Sequence, residues 1–108
     1  VYKTAMDQYR PYLSIRDAFK LFKFCIEKDF FENEIFNVLS GNFTVRQIIS
    51  KIKKRKKRIK VKFVETKIMN QLSYHVDDSK LRKFGLKLNS DIQKDIDNTL
   101  KLFKYLKN

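Results

Sequence analysis

Short extended runs alternating with amphipathic helices predict an α/β fold for this 108-residue chain. Three observations carry that prediction. Arg10 to Ile15 reads as an extended segment leading into a helix, because Pro11 holds its own φ and pushes Arg10 away from the helical region. Glu34 to Leu39 is a short run of strand type whose near-continuous apolarity predicts cover on both faces, the habit of parallel sheets. Thr44-Val45-Arg46-Gln47 and Ser90-Asp91-Ile92-Gln93 have the form of capping boxes, in which a hydroxyl and an amide three residues apart satisfy each other's backbone donors.

Taken in order, Val1 to Tyr9 is short and mixed, and reads as a lead-in loop. Ser14 is placed to cap a helix near Arg16–Lys28, and Asp17 sets a carboxylate in its first turn, where unpaired N–H groups and the helix dipole favour negative charge. Phe19, Phe22 and Ile26 form one stripe of that helix with Ala18, Leu21 and Cys25 beside it, a wide apolar face that requires burial on both flanks. Asp29 to Asn33 breaks the helical period, and Ser40-Gly41-Asn42 reads as the turn that closes the Glu34–Leu39 strand. After Thr44, the residues Val45, Ile48, Ile49 and Ile52 recur at helical spacing. Ile59, Val61 and Phe63 then alternate with Lys60 and Lys62, the pattern of a half-exposed strand with a basic outer face. Ser73 to Val76 reads as another short strand, followed by a brief helix over Lys80–Phe84 that Gly85 stops. Ile92, Ile96, Leu100, Phe103 and Leu106 define the last helix, with Lys101, Lys104 and Lys107 at the end the dipole favours.

Length suits one domain over residues 1–108, and ten Phe with five Tyr supply a core, while two Gly and one Pro argue against a loop-dominated chain. The formal charge of +13 is unevenly spread. Nine cations and no acid lie between Lys51 and Lys62, which leaves only +4 on the other 96 residues. No Gly-rich or aromatic-interleaved RNA motif accompanies the run, so it reads as a solvated helix end and nucleic acid is not the expected partner. One cysteine, Cys25, excludes an internal disulfide and supplies no metal cluster, which predicts a reducing, cytoplasmic setting and no metal cofactor. No apolar run approaches the length of a membrane helix, and no membrane partner is expected. The chain starts at Val1 and not at Met, which predicts an internal residue of a longer protein.

Of the reactive side chains, His75 has no second His and no paired Cys, and reads as a structural or hydrogen-bonding residue. Asp77 and Asp78 precede Ser-Lys as helix caps do. No Gly-rich phosphate turn is present, and no tyrosine is followed four positions later by lysine. No catalytic residue is therefore assigned.

Three stretches, in their order, carry a resemblance: Arg10-Pro-Tyr-Leu-Ser-Ile-Arg-Asp17; Glu34-Ile-Phe-Asn-Val-Leu-Ser-Gly-Asn42 followed by Thr44-Val-Arg-Gln-Ile-Ile49; and Ser73-Tyr-His-Val-Asp-Asp-Ser-Lys-Leu81 with Phe84-Gly85-Leu86. Together, from about Gln8 to the final helix, they resemble the C-terminal part of the extended short-chain dehydrogenase/reductase family, the NAD-dependent nucleotide-sugar epimerases and dehydratases. The resemblance implies the substrate-binding portion of a Rossmann-type enzyme whose N-terminal domain, absent from this sequence, holds NAD or NADP. It implies transient oxidation of a sugar hydroxyl and return of the hydride in the parent enzyme. It also implies that Arg10 contacts the diphosphate of a nucleotide sugar and that Tyr12 lines the same site. A second family arginine that precedes the Tyr-x-x-Asp-x-Ser-Lys segment has no match here, and Lys67 stands in that region as a point charge without the bidentate fork. The implied partners are a nucleotide-diphosphate sugar and the protein's own NAD-binding domain, and a homodimer is compatible. The competing reading from another class is a small basic module that binds nucleic acid or an acidic partner through Lys51–Lys62, and a third is a non-catalytic scaffold of the same fold.

Overall fold

The computed structural model describes residues 1–31, 33–65 and 73–106, and Lys67 lies outside the described residues. A 3-10 turn, Lys3–Ala5, precedes β1 (Tyr9–Tyr12), α1 (Ile15–Glu27), β2 (Gly41–Thr44), α2 (Val45–Arg55), α3 (Ser79–Lys83) and α4 (Ile92–Leu106). The class is mixed helix and strand, with four helices and a two-stranded sheet among the described residues.

The first correction concerns the sheet. Its strands are antiparallel, with Tyr9 opposite Thr44, Arg10 opposite Phe43, Pro11 opposite Asn42 and Tyr12 opposite Gly41. Gly41 and Asn42, read as a closing turn, are thus strand residues. Glu34 to Leu39, expected to be a parallel strand covered on both faces, joins no ladder among the described residues. It is still extended in its alternation: Phe36 and Val38 lie against the core while Ile35 and Asn37 point outward, Ile35 being 90% exposed. Contacts from single side chains pin it, Lys80 Nζ to the Ile35 carbonyl at 3.1 Å and Asn37 Nδ2 to the Asp77 carbonyl at 3.1 Å.

Two other expected strands also dissolve into single attachments. Ser73 to Val76 runs beside the sheet mainly on side-chain bonds: Ser73 Oγ accepts from the Tyr9 N–H at 3.0 Å, and the Asn42 amide both donates to the Val76 carbonyl and accepts from its N–H, with one long backbone bond, Tyr74 N–H to the Tyr9 carbonyl at 3.4 Å. Side-chain groups of Ser73 and Asn42 take positions that a ladder would give to backbone. Among the described residues, Ile59 to Phe63 pairs only at its far end, where Val64 bridges Tyr2 in parallel and the Val1 ammonium donates to the Lys62 carbonyl. Ile59 and Phe63 both stay exposed there, against the alternation.

The helix starts follow the sequence more closely. Ser14 Oγ accepts from the Asp17 N–H at 3.1 Å and caps α1. The Thr44–Gln47 capping box forms in both directions at the head of α2. The expected box at Ser90 does not form. Asp91 caps α4 instead, its Oδ1 accepting from the N–H groups of Gln93 and Lys94, while the Ser90 hydroxyl donates to Asp95 and its N–H is spent on Asp17. Gly85 ends α3 at φ +94°, a conformation a side chain would strain.

The core is small and lies under α1 and α3. Leu81, Leu86 and Leu88 are buried, with Leu21, Phe24, Phe30, Phe36 and Val38 packed around them. Phe30 is the hub of a ring cluster, its centroid 5.3 Å from Phe24, 5.5 Å from Phe36 and 5.0 Å from Phe84. Only one flank of the α1 apolar face is used: Leu21 and Phe24 turn inward, whereas Phe19, Phe22 and Ile26 are all more than 60% exposed. The lead-in segment contributes more than its sequence suggests, since Met6 is buried and its carbonyl accepts from the Arg46 N–H.

At the end of α1, Asp29 adopts φ 49° while the Phe30 N–H reaches the Cys25 carbonyl and the Asp29 N–H the Ile26 carbonyl. This is a Schellman closure with aspartate where glycine is preferred. Asp29→Gly is predicted to raise unfolding stability by roughly 0.5–1 kcal/mol, the left-handed cost relieved less the added chain entropy of glycine. Asp29→Val is predicted to lower it by about 1 kcal/mol or more. Urea denaturation followed by circular dichroism reads both shifts.

Candidate functional site

Arg10 and Tyr12 are two residues apart on β1, so both project from one face of the strand. Three attachments hold that strand: β2 along one edge, the Ser73–Val76 segment along the other, and a buried joint at its C-terminal end. The joint is centred on Asp17, 3% exposed. Its Oδ2 accepts from the Ser40 hydroxyl at 2.5 Å and from the Ser90 N–H at 3.0 Å. The same Ser40 oxygen accepts from the Ser14 N–H at 2.9 Å, and the Ser40 N–H donates to the Tyr12 carbonyl at 2.7 Å. Ser40 and Ser90, from two distant loops, therefore meet on one carboxylate at the helix start, and Ser40 ties the strand exit to it.

The Arg10 guanidinium donates to the Tyr9 carbonyl at 2.7 Å and to Gln8 Oε1 at 2.9 Å, and lies over the Tyr74 ring at 5.1 Å. Tyr12 meets Phe43 edge-on at 6.2 Å and lines an apolar cleft of about 550 Å³ with Ile48, Ile52, Ile92 and Ile96. Phe43, directly across the ladder from Arg10, shares its face, and Lys51 reaches over the Phe43 ring at 5.9 Å. The result is an arginine and a lysine flanking aromatic rings on one small sheet face. Cations of this kind serve phosphate oxygens, and aromatic faces pack against a base or sugar.

Sequence reasoning missed Tyr74, Phe43 and Lys51 as neighbours of Arg10 and Tyr12. A signal existed for Phe43 alone, had residues 41–44 been paired with 9–12. His75 stacks on Tyr9 at 4.2 Å and lines a polar cleft of about 390 Å³ together with Asn42, Asp77, Arg82 and Lys87. Asp77, one residue before the N-cap of α3, accepts from both the N–H and the hydroxyl of Ser79, while Asp78 at the N-cap makes no capping bond and pairs with Arg82 at 3.0 Å. Cys25 is a half-buried free thiol on α1. Among the described residues no group of three His, Cys, Asp or Glu side chains could hold a metal ion.

Three carboxyls are held below their ordinary range. The Arg46 hydrogen bond does so at Asp7, outweighing the desolvation cost. Bonds from the Ser79 N–H and hydroxyl do so at Asp77. At Asp97 burial pushes upward, but bonds from Gln93 and Arg55 prevail. In each case the folded chain releases its proton more readily than the unfolded chain does. The stability these groups contribute is therefore complete above the unfolded value of 3.8 and is lost as pH falls through the lower folded values. The predicted urea midpoint is level, as regards these groups, from about pH 7 to 5 and declines below about pH 4, and Asp97→Asn shallows that decline. A pH series of urea melts checks it. No family model, no curated protein and no solved structure matches this chain.

Proposed function

We propose that this chain is the nucleotide-sugar-binding portion of an NAD-dependent epimerase or dehydratase, acting beside a separate NAD- or NADP-binding domain of the same cytoplasmic protein. The observation that carries the reading is the placing of Arg10 and Tyr12 on one face of a strand that the Asp17 joint fixes in position. These are the two residues on which the three-segment sequence resemblance puts substrate contact. Arg10 binds the diphosphate through a guanidinium fork, and Tyr12 lines the same site with its ring and hydroxyl. Lys67 serves as a further point charge.

The cofactor does not fit this chain's own residues. Its two glycines, Gly41 and Gly85, stand in a strand and a helix stop, not in a Gly-rich phosphate turn, and no Tyr-x-x-x-Lys pair is present. No hydride step is therefore assigned to it. Two open surfaces agree with a second body. Phe19, Phe22 and Ile26 leave one flank of α1 uncovered, and Ile35 marks the open side of the apolar Glu34–Leu39 run. In this reading the NAD-binding domain covers both.

The test is a calorimetric titration with uridine and thymidine diphosphates. Arg10→Ala is predicted to weaken binding by about 10- to 100-fold, the scale of charge-assisted hydrogen bonds. Charge reversal at Lys54 and Lys57 is predicted to change it less than about twofold, since Lys54 lies on the exposed end of α2 and Lys57 in the exposed turn after it. An unchanged affinity in Arg10→Ala, with loss on reversal at Lys54 and Lys57, overturns the proposal in favour of the basic-module reading.

A further inference from the structure

The basic run and the end of α4 form one pole of the molecule. Gln93 Nε2 donates to the Lys51 carbonyl at 2.9 Å, and Arg55 pairs with Asp97 at 2.8 Å. One turn of α2 thus meets the matching turn of α4 twice, in the same order, so the two helices run parallel. α2 ends at Arg55, whereas α4 continues to Leu106, about 13 Å beyond Asp97 at helical rise. The chain leaving α2 turns beside this overhang, and Arg55, Lys56, Lys57, Arg58, Ile59 and Leu100 line a cleft of about 510 Å³ between them.

The chemistry of the pole is two-fold. Every residue from Lys53 to Lys60 is exposed, and among the described residues only Arg55 of that stretch has a carboxylate partner. The overhang adds Lys101 and Lys104 and presents apolar and aromatic groups to solvent, Tyr105 at 84% and Leu106 at 67% exposed. Charge alone suits any polyanion. Exposed leucine, phenylalanine and tyrosine beside unpaired lysines suit a surface that is anionic outside and apolar just beneath.

We propose that this pole docks on an anionic phospholipid surface: the Lys53–Lys60 cations meet headgroup phosphates, and the side chains of Tyr105 and Leu106 enter the boundary with the acyl chains. No helix among the described residues is long and apolar enough to cross a membrane, so the association is peripheral. It does not rest on the nucleotide-sugar reading, whose residues lie on the β1 face. The Lys51–Lys62 run, taken from sequence as a solvated edge with no membrane partner, acquires one here.

The test is co-sedimentation of the whole chain with vesicles of phosphatidylglycerol and phosphatidylcholine in equal parts, and with phosphatidylcholine alone. The expected result is binding at least about tenfold tighter to the anionic vesicles, from roughly one headgroup attraction per cation. K54E/K57E is expected to reduce it about tenfold or more, and Y105S/L106S about fivefold at constant salt. All four positions are exposed, and circular dichroism verifies that both variants remain folded. Equal binding to the two vesicle types overturns the proposal, as does indifference to Y105S/L106S. So does tighter binding to single-stranded RNA than to anionic vesicles, which would assign the pole to nucleic acid.

Discussion

The buried Asp17 carboxylate is the contact on which the remaining architecture depends. A buried carboxyl is tolerated only where polar partners surround it, and here two donors from distant parts of the chain and the dipole of its own helix do so. The Ser40 hydroxyl arrives from the head of β2, the Ser90 N–H from the approach to α4, and the helix dipole from α1 itself. Because Ser40 also holds the Ser14 N–H and the Tyr12 carbonyl, the end of β1 cannot shift without disturbing this joint. A two-stranded sheet is marginal alone. The joint, together with the Ser73 and Asn42 side-chain bonds, is what makes so short a strand a defined platform for Arg10 and Tyr12.

A second constraint is the shortage of cover. The core formed by three buried leucines and the Phe30 ring cluster accounts for one flank of α1 and one face of the Glu34–Leu39 run. The other flank, Phe19, Phe22 and Ile26, remains apolar and open, as does Ile35 on the run. The proposal of a nucleotide-binding part seated against a cofactor-binding part gives that surface an occupant. The pole made by the ends of α2 and α4 is separate from it in place and in chemistry, being basic as well as apolar.

Local signals in the sequence located most helices, and non-local pairings escaped it. Ser14, Thr44 and Gly85 announce caps and a stop through chemistry contained within three or four residues, and all three act as read. At Ser90 two capping residues stand side by side, and Asp17, 73 positions away, decides between them. The apolar alternation at 34–39 was legible as an extended run, but whether a run becomes a strand depends on which backbone lies beside it. The pairing of 9–12 with 41–44 was invisible for the same reason. Arg10 and Tyr12 could be singled out in advance, while their neighbours Tyr74, Phe43 and Lys51 follow only from the register and from the way Ser73 and Asn42 clip the later segment to the sheet.

The most direct measurement is a double-mutant cycle at the joint: urea unfolding of the natural chain, Asp17→Asn, Ser40→Ala and the pair. Coupling of about 1–2 kcal/mol between the two sites is predicted, because each residue is a principal partner of the other and removing either strands a buried polar group. Hydrogen exchange at the Ser90 N–H is predicted to accelerate in Asp17→Asn. Additive effects of the two substitutions, with Ser90 exchange unchanged, would contradict the claim that one carboxylate ties these segments together.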